Sequence, residues 1–159
     1  MKIVAVLDDL FFMVKIMDAV KRAGVEVIFV KEDATVFELV KDQPVLIIID
    51  LNIKTLDSVK LIRQLKQEPE TKHIHLLGFV SHVQVELKKQ ALDAGADQVL
   101  PRSTFSASLP AILQRHAHAQ HAAMPTEQRP QTNRPSSVTS GQTRSDLLRS
   151  QATRLLASF

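Results

Sequence analysis

Three aspartates stand at places where carboxylates can do chemistry together. Asp8 and Asp9 directly follow the apolar run Ile3 to Leu7, and Asp50 directly follows Val45 to Ile49. If both runs are neighbouring parallel strands, all three carboxylates reach the carboxyl edge of the sheet, where open α/β sheets bind their ligands. A cluster of like charges repels itself unless it holds a hard cation, and oxygen ligands of this kind suit Mg²⁺. The chemistry this permits is attack of one carboxylate on a phosphoryl group while the metal neutralises the developing charge. Acidic residues also end strands and cap helices, but three at adjacent strand ends have no simple structural explanation. A phosphatase with an aspartate nucleophile of the haloacid dehalogenase type needs Asp-x-Asp, and residue 10 is leucine. The reading is therefore a binding or signalling site, not an enzyme.

The elements that must position these residues are legible as an alternation. Five short apolar runs recur at Ile3 to Leu7, Val25 to Val30, Val45 to Ile49, Leu76 to Ser81 and Gln98 to Leu100. Helical spacing separates and follows them, at about Phe11 to Ala23, Thr35 to Lys41, Leu56 to Gln67, Val83 to Ala94 and Ser106 to Gln120. That order predicts an α/β fold with a doubly wound, five-stranded parallel sheet, a (βα)5 unit over residues 1–121. Ala23-Gly24 and Ala94-Gly95 supply helix stops, and Gln43-Pro44 precedes the third strand.

Composition narrows the class of partner. The chain has 159 residues and no cysteine, which excludes disulfides and thiolate metal sites and makes the cytoplasm the expected compartment. The apolar start is broken at Asp8, too early for a signal peptide or a spanning helix, so no membrane is expected. Acidic and basic residues balance over residues 1–121. The net charge of +3 comes from Arg129, Arg134, Arg144, Arg149 and Arg154 against Glu127 and Asp146. A neutral domain with five scattered arginines and no interleaved aromatics argues against a nucleic-acid partner. Residues 122–144, rich in Pro, Thr, Ser and Gln, read as a disordered linker. Residues 145–159 place Leu148, Ala152, Leu155 and Phe159 on one stripe of a short amphipathic helix. His116, His118 and His121 lack a nearby acid or cysteine and read as a solvated helix face. Phe11 and Phe12 read as helix packing.

Across residues 2 to about 115 the chain resembles the receiver domain of bacterial two-component response regulators. Leu7-Asp8-Asp9 is similar to the family's acidic pair, and Asp50 falls at its phospho-accepting aspartate. Asp50-Leu51-Asn52-Ile53-Lys54-Thr55-Leu56-Asp57-Ser58 follows its aspartate loop, and Ala94-Gly95-Ala96-Asp97 its turn before the last strand. The resemblance implies a flavodoxin-like fold, to which the composition after Ala123 adds a C-terminal flexible tail. It also implies Mg²⁺ held by Asp8, Asp9, Asp50 and the backbone carbonyl of Asn52, with a sensor histidine kinase as phosphoryl donor.

The sequence departs from that pattern at named places. Lys54 replaces a proline and Ser58 a glycine in the aspartate loop. The switch hydroxyl position falls on Val80 in the ungapped alignment, or on Ser81 with a shorter following loop. Arg102 stands where the family has a lysine, and Ser103 where a proline follows it. A guanidinium holds oxyanions through a planar fork and does not replace an ammonium in a small pocket without consequence; Arg102 reads equally as a phosphate holder or as a salt-bridge partner of Asp50. Two functions are therefore expected. One is an atypical, pseudo-receiver adaptor that binds protein partners through its fourth helix, last two strands and fifth helix without phosphorylation. The other is a single-domain response regulator phosphorylated on Asp50 with Mg²⁺, with Ser81 and Arg102 reading the phosphoryl group. Homodimers through the same face are what the resemblance implies for either.

Overall fold

The run Leu46–Asp50 is buried along its whole length, as a strand covered on both faces must be. In this computed structural model, which describes residues 1–123, that run is β3 at the centre of a five-stranded sheet. The elements follow in strict alternation: β1 (Lys2–Val6), α1 (Leu10–Ala23), β2 (Glu26–Val30), α2 (Asp33–Leu39), β3, α3 (Ser58–Gln67), β4 (His75–Val80), α4 (Val85–Asp93), β5 (Gln98–Pro101) and α5 (Arg102–Ala123). All pairings are parallel and the strand order is β2-β1-β3-β4-β5. This is a flavodoxin-like order, with its reversal between β1 and β3. The loops after those two strands therefore flank the crevice where such sheets bind ligands.

Two apolar layers hold the helices on. Phe12, Ile16 and Val20 of α1 and Phe105, Leu109, Ile112 and Leu113 of α5 pack on one face, over Ile3, Ala5, Ile48, Leu77 and Phe79. Val36, Leu61, Ile62, Leu65 and Ala91 from α2, α3 and α4 pack on the other, over Val4, Val6, Ile47, Ile49 and Leu76. The alternation of strand residues between the layers follows from the period of two in a strand. Within the first layer Phe79 and Phe105 stack at 4.4 Å, and Phe12 lies 4.9 Å from Phe79.

Local chemistry sets the ends. Asp9 caps α1, its Oδ1 accepting from the Phe11 and Phe12 amides, and Gly24 closes it at φ 66°. Asp57 caps α3 by accepting from the Lys60 amide at 3.0 Å. Two elements depart from the expectation. The second helix starts at Asp33 and tightens into a 3₁₀ turn over Val40–Asp42, which Gln43 ends in a left-handed conformation just before Pro44. The fifth helix starts at Arg102, not at Ser106, because buried Phe105 draws the polar Arg-Ser-Thr stretch into its first turn. It continues to Ala123, so the rest of the expected linker, and the expected helix at 145–159, lie outside the described residues. No described helix is long and apolar enough to cross a membrane.

Candidate functional site

Asp50 ends β3 with only 1% of its surface exposed, so its carboxylate must find partners inside the protein. It finds two. The Asn52 amide donates to Oδ1 at 2.9 Å, and Nη2 of Arg102 lies 3.3 Å from Oδ1 and 3.0 Å from Oδ2. Burial still pushes the Asp50 carboxyl above the usual carboxylate range. The Asn52 amide and the Arg102 guanidinium pull the other way, and Asp8 adds to the rise.

Arg102 reaches this position because β5 passes straight into α5, which leaves no loop to carry residue 102 away. Its other terminal nitrogen, Nη1, is 3.7 Å from Oδ2 of Asp9, and its guanidinium lies 5.2 Å from the ring centre of Phe12. Its Nε is buried without a partner. The guanidinium thus bridges two of the three expected carboxylates while resting on the aromatic layer.

The rest of the set closes over it. Asp8, Asp9, Asn52, Lys54, Ser81 and Arg102 line an open pocket of about 460 Å³, with Asp50 buried at the foot of Arg102. Asp8 accepts weakly from the Lys54 amide at 3.5 Å. Asn52 turns its side chain to the neighbouring loop. Its Oδ1 accepts from the Ser81 amide at 3.0 Å and its Nδ2 donates to Oε1 of Gln84. The buried hydroxyl of Ser58 donates to the Leu51 carbonyl at 3.2 Å. Of the two residues left open for the switch position, Val80 is the last residue of β4 and packs in the apolar layer, and Ser81 lines the pocket.

Hard oxygen donors for a divalent cation are present, but their arrangement does not fit one as it stands. Among the described residues no three His, Asp or Glu side chains are grouped to hold a metal ion. Arg102 takes the Asp50 oxygens a cation would need, and one oxygen of Asp9 is committed to capping α1.

Two contributors carry no sequence signal of their own. Gln84 is one polar residue among several before α4, and only the fold sets it against Asn52. Phe12 does pack in the helix layer, but it also forms the surface on which Arg102 rests. His116 corrects the expectation of a solvated face, since it is half-buried with its ring 4.9 Å from that of His75. His118 is exposed, and the side chain of His121 lies outside what is described.

The fold and the acidic edge define a receiver-type signalling domain, and comparison of the sequence with known families agrees. Residues 3–114 match the response regulator receiver domain, and the chain belongs to that family of two-component signalling modules. No curated protein sequence matches it. Among solved structures, the receiver domain of a signal transduction histidine kinase from Syntrophus aciditrophicus is similar with a TM-score of 0.65 and 21% identity, over 80% of this chain and 95% of that one. Chemotaxis response regulator CheY4 of Vibrio cholerae gives 0.62 and 21% identity, over 72% and 97%. A Pseudomonas aeruginosa sensor histidine kinase receiver domain gives 0.63 and 19% identity, over 74% and 97%, and that structure has magnesium in its active-site cleft. At such identities the likeness is one of fold.

Proposed function

We propose that this chain is an atypical receiver, a cytoplasmic protein-interaction module or adaptor that works without phosphorylation. One observation carries the reading: the Arg102 guanidinium lies within hydrogen-bond reach of both oxygens of Asp50 and faces Asp9 as well. A cation built into the chain then does the neutralising that a bound metal would otherwise do, and the nucleophilic oxygens are occupied. The departures nearby point the same way, because Val80 places a buried apolar side chain where β4 ends. Partners are proteins, met through α4, β5 and α5.

A second reading has its own support. The pocket is open, it is lined by Asp8, Asp9 and the Ser81 residue, and the Arg102 side chain is 33% exposed, so it has water to swing into. In that reading a sensor histidine kinase phosphorylates Asp50 once Arg102 has moved off and Mg²⁺ is held by Asp8, Asp9, Asp50 and Asn52, with Ser81 and Arg102 binding the product. Incubation with Mg²⁺ and acetyl phosphate or beryllofluoride separates the two, followed by mass and backbone amide spectra beside an Asp50→Asn control. The adaptor reading expects no adduct and unchanged spectra. A specific Asp50 adduct with shifts reaching β4 and β5 would replace it with the second.

A further inference from the structure

The edge of the sheet opposite the acidic pocket carries a second polar cluster that no part of the signalling site uses. His75 opens β4 and its ring lies 4.9 Å from that of His116 on α5, tilted by 54°. Behind His75, its Nδ1 is 4.0 Å from Oδ2 of Asp97, an oxygen that also accepts from Lys66 Nζ at 2.7 Å and from the Leu76 amide at 2.8 Å. In front, a cleft of about 540 Å³ lined by Gln43, Pro44, Val45, His73, His116 and Ala119 opens to water, and His73 bonds Gln43 at 2.8 Å.

The position of His116 in its helix gives the pair a mechanical role. Phe105, Leu109, Ile112 and Leu113 anchor the first three turns of α5 in the apolar layer. After Leu113, the only half-buried residues among those described in this helix are His116 and its neighbour Ala117. The docking of the last turns on the sheet therefore rests chiefly on one imidazole packed against another.

We propose that His75 and His116 form a proton-sensitive joint that releases the last turns of α5 from the sheet as the pH falls. The charges facing the pair explain the direction. Asp97 offers His75 a carboxylate, though one already shared with Lys66. His116 faces His75, His73 across the cleft and Arg115 on its own helix, and among the described residues it is in no ion pair. Burial holds the His116 imidazole below the usual histidine range, and His75 and Arg115 push the same way. A basic group with a lowered pKa in the docked state favours that state above its free value. The preference is lost progressively as the pH falls from the free value, near 6.5, towards the lowered one. Protonated His116 is better served by water, which it reaches by undocking.

The test is amide hydrogen exchange of the full chain at pH 7.5 and pH 5.5, corrected for the intrinsic pH dependence of exchange. Protection over residues 114–119 should fall on acidification, as a lowered pKa in the docked state requires, while β3 stays protected. His116→Phe keeps a packed ring without a proton and should abolish the pH dependence, and His118→Ala should retain it. A two-dimensional imidazole titration of the native chain should place His116 below the free value. Equal protection at both pH values, or the same loss in His116→Phe, would overturn the proposal. The outcome is independent of whether Asp50 is phosphorylated.

Discussion

Asp50 shows how a buried carboxylate can be compensated without being stabilising. Removing its charge from water costs more than the Asn52 amide and the Arg102 pair return, so its carboxyl is raised above the usual range. An acid whose pKa is higher in the folded state than in the unfolded one lowers stability at any pH where it is ionised in both states. The loss is recovered as the pH falls through the folded value and is gone below the unfolded one, near 3.9. Asp50→Asn keeps an acceptor for Arg102 and removes that charge. It should therefore be more stable than the native chain at pH 7, and the advantage should shrink steadily on acidification. Urea unfolding of both proteins at several pH values measures this, because the other ionisations cancel in the difference. A variant less stable than the native chain at pH 7 would show that the pair drives stability instead. Asp8, Asp9 and Asp50 were legible as a set because each follows a strand run. A salt bridge from Arg102 to Asp50 was one of the readings open for that residue; its further reach to Asp9 was not legible, since it depends on α5 starting at once after β5.

At the scale of elements, the turn between α4 and β5 is the most exacting. Gly95 has φ 115°, a region that side chains rarely adopt, and a Cβ built on it would meet Lys66 Cγ at 2.9 Å and Cβ at 3.1 Å. Lys66 has little freedom to retreat, because its Nζ is tied to the Lys72 and Ile74 carbonyls and to Asp97. Gly95→Ala should therefore destabilise the domain by about 1–3 kcal/mol through strain and a disturbed Lys66 network, read as a lower urea midpoint with an unchanged slope. A change below a few tenths would mean that this turn relaxes freely. The sequence announces Gly95 as a helix stop, and its neighbour Asp97 as part of a motif. It does not announce that Asp97 joins α3 to the start of β4, because Lys66 lies 31 residues away in the chain. The same limit explains α5, where three polar residues imitate a loop until Phe105 and Phe79 are seen to stack.

For the whole molecule, alternation of apolar runs with helical spacing was enough to specify a doubly wound sheet, since parallel strands need helical crossovers of one hand. The strand order β2-β1-β3-β4-β5, and hence the convergence of the loops after β1 and β3, was implied by the family resemblance and not by that pattern. What the pattern left open was the state of the site, which depends on a side chain entering from a third direction. In the reading proposed above, Arg102 stands in for a divalent cation between Asp9 and Asp50. Titration of Mg²⁺ into the native chain and into Arg102→Ala, followed by calorimetry and backbone amide shifts, decides whether the guanidinium holds the place of a metal. The expected result is no saturable binding to the native chain at low-millimolar Mg²⁺, and binding to Arg102→Ala with shifts at Asp8, Asp9, Asp50 and Asn52. Saturable binding to the native chain that moves the Asp50 amide and is no tighter in Arg102→Ala would contradict it.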